Sequence, residues 1–447
     1  MNIQNILFKY KKYFSIALLS KTIAILKESV VAYFFGASEI KDIYVALFTF
    51  SESFFGIIKS SIQNSLIPMY YKNNKKNNFL INYITILLYF LFFIFLIFIS
   101  FGFYFFKKNY FDIDITLYFL IGLFSILGIF IVFNIQVLNV KKQYSKSEYS
   151  NFLISFLTIL LIIILYNIYG KKLNVMIESS IFAFLIVLII QIYYIKKLNL
   201  KILNIKYLHF PLQKKIFKNF FSLTLIFMVL HSSYSFFELY LAKQVAIGAI
   251  SWNDYAKKLY LSGVFLIGGI LLTPIYTKFN DELNNEKNFT FLNFTIQKIF
   301  LIFTFLAILL YLMSEILIKQ LYFRGSFNYN DLVQVSNIFQ IYIYSLPFAV
   351  IGLLLHNIIV SISIKTYFIL NLLQTIFSFV FSIIFYKVGY GIQSLAISNF
   401  ITLFIITILF LNYLIFNQYI EINHKNKTLY FLYFVGYFCL FCYIVYC

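Results

Sequence analysis

Lysines and carboxylates stand inside apolar, helix-length runs of this sequence, where a membrane-embedded chain ordinarily holds neither. The stretch SKTIAILKESVVAYFFGASEIKDIYVALFTFSESFFGIIKSSIQNSLIP, from Ser20 to Pro68, carries Lys21, Lys27 and Glu28 in one run. After a short break at Gly36 to Lys41, a second run carries Asp42, Glu52 and Lys59. An ionised group at membrane depth costs about 3 kcal/mol or more, so it usually faces a protein-lined or wet cavity. Lys21 and Glu28 are seven residues apart and share a helix face, while Lys27 points about 120° away. Lys21 can snorkel towards the edge of its run, whereas Lys27 sits too near the middle. Two readings of Lys27 stand: internal pairing with Glu28, or a cation offered to an anionic substrate. Asp42 opens its run, where a carboxylate suits the helix dipole. Glu52 and Lys59 share a face at i, i+7 and are candidate partners for the first-run charges.

A second charged stretch lies in the other half of the chain. His231 and Glu238 share a face at i, i+7, and a turn holding the one tryptophan, Trp252, precedes Lys257 and Lys258. These lysines read either as interfacial groups at a rim or as cations turned to a cavity. Gly263, Gly268 and Gly269 permit close helix approach, and Pro274 a kink. The segment LYFRGSFNYND holds Arg324, the sole arginine, and reads as a structural loop.

The elements that must hold these groups are transmembrane helices. The chain has 447 residues, 62% hydrophobic and 12% charged, with a mean hydropathy of +0.87. Soluble domains are about 45–50% apolar and about 25% charged. The pattern predicts an all-α polytopic membrane protein of about 12–14 spans. The expected spans are 14–35, 42–67, 79–106, 115–140, 149–168, 176–195, 217–243, 253–277, 291–318, 332–360, 364–386, 392–416 and 428–446. The first reads as an uncleaved span, with Met1 to Lys9 as an interfacial stub.

The net charge of +20 does not imply nucleic acid, because the excess lysine lies in short loops between spans. Lys9, Lys11, Lys12, Lys72, Lys75, Lys76, Lys141, Lys142 and Lys146 fall on one side, together with the lysines from Lys196 to Lys218. That asymmetry predicts a cytoplasmic N-terminus. The connection from Lys196 to Lys218 interleaves Lys with Leu, Ile and Phe, suiting an amphipathic segment on an anionic leaflet. It divides the chain into two expected six-helix bundles, 1–205 and 206–421, with an additional helix in 422–447.

Other chemistry is not written here. There is no phosphate-binding G-x-x-x-x-G-K-[ST] loop, H-E-x-x-H zinc motif or G-x-S-x-G elbow. The histidines, His209, His231, His356 and His424, are scattered. Cys439 and Cys442 form a C-x-x-C, but within an apolar run that reads as core or lipid-facing. The expectation is a transporter, with no catalytic residues, no cofactor and no metal.

Three separated segments resemble the MurJ/MviN lipid II flippases, within the MATE-like superfamily of exporters. They are KESVVAYFFGA (Lys27 to Ala37) with KDIYVA (Lys41 to Ala46) and the I-P of Ile67 and Pro68; GAIS-W-x-x-YAKKL (Gly248 to Leu259) with L-L-x-P (Leu271 to Pro274); and LYFRGSF (Leu321 to Phe327) with the S-L-P of Ser345 to Pro347. The resemblance implies a flippase of the cell inner membrane. Its substrate would be an undecaprenyl-pyrophosphate-linked saccharide, lipid II first, moved by alternating access during peptidoglycan synthesis. It implies that Lys21 and Lys27 stand at first-span arginines of the family, Lys258 at an eighth-span arginine, and Glu28, Asp42 and Glu238 at acids. Lys257 replaces a family acid, and Lys59 is a displaced remnant of second-span basic residues. Lysine keeps the charge but loses arginine's bidentate fork.

The expected mechanism is charge matching. Lys21, Lys27 and Lys258 bind the pyrophosphate, and Glu28, Asp42, Glu52, Lys59, Glu238 and Lys257 act as supporting charge partners. Membrane lipids are the remaining partners, with a coupling ion or the membrane potential as driving force. The alternatives are a flippase for O-antigen or capsule oligosaccharides, a cation-coupled drug exporter and a membrane glycan enzyme. The exporter would favour a mainly acidic cavity, and the enzyme would want a large outer loop or an embedded histidine.

Overall fold

A computed structural model describes residues 11–72, 114–198, 224–264 and 290–417, with the isolated positions Phe95, Phe98, Tyr104, Gly436, Tyr437 and Phe441. Apart from those positions, the expected spans 79–106 and 428–446 lie outside the described residues. So do the stub Met1 to Lys9, the connection from Asn199 to Lys218, Gly268, Gly269, Pro274, His209, His424 and the three cysteines.

The described chain is helical. In order the helices are α1 (Lys11–Phe35), α2 (Glu39–Lys72), α3 (Ile115–Val140), α4 (Tyr144–Tyr169), α5 (Leu173–Lys197), α6 (Thr224–Val245) and α7 (Ala249–Gly263). There follow α8 (Thr290–Leu312), α9 (Ser314–Tyr322), α10 (Tyr329–Tyr344), α11 (Leu346–Ile362), α12 (Ile364–Phe385) and α13 (Gln393–Phe416), with a π-helical turn Tyr386–Tyr390 before α13. Six of them are long and apolar enough to cross a membrane, or seven if the α10–α11 pair counts as one broken span. Many side chains of α4, α5 and α12 are exposed and apolar, Ile164, Ile189 and Val380 among them, as lipid-facing positions require.

Two expected spans are broken. The run 291–318 is divided at Met313 between α8 and α9. The run 332–360 bends by 48° between α10 and α11. Pro347 lies at the start of α11, where a missing N–H is tolerated, but continuing α10 through it would cost a ladder bond.

The chain forms two compact units, Met1–Ser251 with Arg324–Phe327, and Trp252–Phe323 with Asn328–Cys447. In the first, α1 packs on α4, α2 on α3 and α6, and α5 on α3 and α4. Val31 and Phe35 of α1 meet Ile162 of α4 and Val175 and Met176 of α5 in a buried apolar cluster. Polar contacts tie helices whose apolar surfaces gain little from leaving lipid. Ser51 and Ser125 hydroxyls lie 2.6 Å apart between α2 and α3, and Ser20 of α1 donates to Glu148 of α4 at 3.4 Å. In the second unit α12 packs on α13 and α8 on α11, with the Ser382 hydroxyl donating to Ser398 at 2.7 Å.

Candidate functional site

The C-terminal end of α1 sets the stage. Its last carbonyls have no partner within the helix and must find donors elsewhere. Gly36, with φ +59°, turns the chain and donates its N–H to Ala32 at 2.9 Å. Ser326 supplies the rest: its N–H donates to the Tyr33 carbonyl at 2.8 Å and its hydroxyl to the Phe34 carbonyl at 3.1 Å. Two glycines make this approach feasible. A Cβ on Gly36 would lie 2.3 Å from the Ser326 carbonyl oxygen, and one on Gly325 2.3 Å from the Tyr33 carbonyl oxygen. The sequence reading of Arg324 and its neighbours as a structural loop agrees with this docking, and Arg324 itself is exposed.

Asp42 lies just beyond that end, in the first turn of α2, and is buried. Its carboxylate accepts from the Gly248 N–H at 2.6 Å, the Ser251 N–H at 2.8 Å and the Ser251 hydroxyl at 2.6 Å. These N–H groups belong to the turn that opens α7. Asp42 thus caps that turn from a distant part of the chain, a fuller role than complementing its own helix dipole. Nothing in the local sequence marks this partner.

Glu28 is the centre of a charged set. Its carboxylate meets the Lys27 ammonium at 3.1 Å and the Lys41 ammonium at 3.7 Å. Glu28 is buried, the Lys27 side chain is 31% exposed, and the Lys41 side chain is 1% exposed. The Lys41 ammonium also lies 5.4 Å from the Tyr44 ring centroid, over a face that attracts cations. The expected Lys27–Glu28 pairing is present. Lys41 was not among the expected site residues, because its sequence position put it in the break between two runs. Its signal was a lysine in the first turn of a helix, where the dipole disfavours a cation.

The other expected residues of the first unit divide between charge pairs and single placements. Glu52 and Lys59 form an ion pair with each other within α2, whereas the sequence had offered the first-run charges as their partners. Gly128 of α3 makes room for it: a Cβ there would come within 3.0 Å of the Lys59 ammonium and 3.2 Å of the Phe184 ring. Lys21 is exposed on α1. Glu238 is buried on α6, and Phe236 of the same helix packs on Phe50 of α2.

In the second unit, Lys258 pairs with Asp254 one turn earlier in α7, at 2.8 Å. The Lys258 side chain is 36% exposed, and Lys257 is half-buried. The i, i+4 spacing of Asp254 and Lys258 was legible in the sequence, yet Asp254 was not among the expected partners. The Trp252 indole donates to Asp331 at 2.8 Å, and Asp331 also closes a capping box with Asn328 at the start of α10. Among the described residues no group of three or more His, Cys, Asp or Glu could hold a metal ion.

What these groups can do is exchange ionic partners inside an apolar bundle. An accessible ammonium beside a buried carboxylate can be handed to an incoming anion through charge-assisted hydrogen bonds.

The fold and its relatives agree with the sequence motifs. A solved structure described as "Lipid II flippase MurJ, inward closed conformation" superposes with a TM-score of 0.73 at 21% identity, covering 97% of this chain and 92% of that one. An inward-facing multidrug-resistance MATE family transporter of the MOP superfamily superposes with a TM-score of 0.62 at 12% identity, over 90% and 93% of the two chains. The probable lipid II flippase MurJ of Buchnera aphidicola subsp. Baizongia pistaciae is 25% identical over 377 residues, 78% of this chain and 72% of that protein. That of Aquifex aeolicus is 25% identical over 423 residues, 89% and 81% of the two. The family model for lipid II flippase MurJ matches residues 31–447, so the chain belongs to the MurJ family of lipid II flippases.

Proposed function

We propose that this protein carries lipid II, an undecaprenyl-pyrophosphate-linked saccharide, across the bacterial inner membrane for peptidoglycan synthesis. It is a transporter and not an enzyme. The observation that carries the reading is the Lys27–Glu28 pair, an accessible cation beside a buried carboxylate in a chain of this family. The pyrophosphate is the strongly charged part of such a substrate, and lysine binds phosphate as a point charge. In this reading Lys21, Lys27 and Lys258 converge on the pyrophosphate. Glu28, Asp42 and Glu238 hold the lysines when no substrate is bound, with Glu52, Lys59 and Lys257 completing the charge set. Two bundles, 1–205 and 206–421, rock about the site with the additional helix of 422–447 alongside. The N-terminus and the Lys196 to Lys218 connection face the cytoplasm. The saccharide crosses in a wet cavity while the lipid tail stays in the bilayer, and a coupling ion or the membrane potential supplies the direction.

Complementation tests this. Expressed in a bacterium depleted of its own lipid II flippase, the chain should restore growth and cell shape. Failure to rescue at normal membrane levels would shift the substrate to another lipid-linked oligosaccharide, such as an O-antigen or capsule precursor.

A further inference from the structure

One side of α7 is tied down by directional hydrogen bonds. At about 100° per residue, Trp252, Asn253, Ala256 and Tyr260 share one arc of the helix, and all four are buried. Asp254, Lys257, Lys258 and Leu261 lie outside that arc and are half-buried, while Tyr255 is buried there against the Tyr322 ring of α9. Lys258 stands about 140° from Asn253 and about 160° from Tyr260, nearly opposite both.

The buried arc carries the ties. The Trp252 indole donates to Asp331 of α10 at 2.8 Å, and the Tyr342 hydroxyl of α10 donates to the Asn253 side-chain carbonyl at 2.9 Å. The Tyr260 ring stacks on Tyr342, with centroids 5.4 Å apart, and its hydroxyl hydrogen-bonds with the Ser345 and Asn399 side chains. Ser345 is the residue at which α10 bends into α11. Its N–H and hydroxyl both donate back to the Tyr342 carbonyl, at 2.9 and 2.6 Å, and its hydroxyl accepts from the Asn399 amide of α13 at 3.2 Å. Apolar contact gives a helix in lipid little preference for one rotation about its axis, whereas such bonds fix it. A turn of α7 by one residue spacing, about 100°, would put Lys257 where Lys258 stands.

We propose that Asn253 and Tyr260 are positioning residues for Lys258: their hydrogen bonds to α10, α13 and the bend between α10 and α11 fix the rotation of α7 and so present Lys258 to an anionic phosphate group. This rests on the reading of Lys258 as a pyrophosphate ligand. The i, i+4 pair of Lys258 with Asp254 lies on the same open side, so the lysine passes from carboxylate to phosphate without the helix turning.

The test uses the purified full-length protein with undecaprenyl pyrophosphate as probe in detergent micelles. Tyr260→Phe, which keeps the ring stack, should weaken binding about threefold, the worth of one interhelical hydrogen bond in a membrane. In a Lys258→Gln background the same change should leave the affinity where Lys258→Gln alone puts it. An equal loss in both backgrounds, or no loss in the unaltered one, would overturn the proposal, even if Tyr260→Phe melts at a lower temperature. Lys258→Gln alone separates the two ideas: if it binds as tightly as the unaltered protein, the pyrophosphate-ligand reading of Lys258 is wrong. The rotation is then judged without ligand, by acetylation with acetic anhydride and mass spectrometry of Lys257 and Lys258. Asn253→Leu combined with Tyr260→Phe should change the ratio of modification at the two lysines, and an unchanged ratio would overturn the positioning.

Discussion

Asp42 shows how much a single carboxylate can hold. It accepts from two backbone N–H groups and one hydroxyl of the turn at Gly248–Ser251. Asp42→Asn keeps the shape but turns one acceptor oxygen into a donor facing a donor. A buried group left unsatisfied costs about 1–3 kcal/mol. The purified variant is expected to melt at a lower temperature, and Ser251→Ala should cost less because only the hydroxyl bond is lost. Equal melting of both variants and the unaltered protein would mean that the turn is held by something else. For Lys27→Ala the expectation differs: membrane levels should stay normal while complementation is lost, because Lys41 remains to neutralise Glu28. Rescue by that variant at normal levels would remove Lys27 from the substrate site. These charged residues were visible in the sequence as residue types at improbable depth, and the i, i+7 spacing put Glu52 and Lys59 on one face without naming them as each other's partner. The contacts Asp42–Ser251 and Glu28–Lys41 were not visible, because each joins separate helices and helical periodicity speaks only of residues on the same one.

Helices were the most legible feature of this chain. The expected spans 115–140 and 392–416 lie within a residue of α3 and α13 at both ends. What the apolar pattern could not register was interruption within an apolar run, as at Met313 and at the Ser345–Pro347 bend, where hydrophobicity continues while the helix axis does not. The glycines follow the same division. Gly170 and Gly325 both have positive φ, +73° and +59°, but a Cβ on Gly170 meets nothing within 4 Å, whereas one on Gly325 would collide with the Tyr33 carbonyl. Gly170, with ψ −161°, lies in a backbone region essentially confined to glycine, so Gly170→Ala should cost only that backbone strain, about 1–3 kcal/mol. Gly325→Ala should cost more and loosen the Ser326 hydrogen bonds to α1. Thermal unfolding of the two purified variants compares them directly. If both lose the same stability, the close approach of residues 325 and 33 does not contribute.

For the whole molecule, the proposed arrangement across the membrane rests on lysine placement rather than on any one helix. A single cysteine placed at Lys206 should react with a membrane-impermeant thiol reagent only after the cells are opened. Ready labelling in intact cells would invert the proposed topology. The extent of the family match, residues 31–447, means that the motif residues Val31–Ala46, Gly248–Leu259 and Leu321–Phe327 are fragments of one continuous likeness.

The docking of Ser326 on the end of α1 also has a consequence for biosynthesis. Phe34 and Ser326 are 292 positions apart in the chain. At about 5–20 residues per second, a ribosome reaches Ser326 roughly 15–60 s after it has made Phe34. Over that interval the Tyr33 and Phe34 carbonyls depend on water, lipid headgroups or the insertion machinery for donors. Helix α1 is therefore completed only when nearly two-thirds of the chain has followed it, and a ribosome that stalls before Gly325 releases a protein in which α1 still lacks its end.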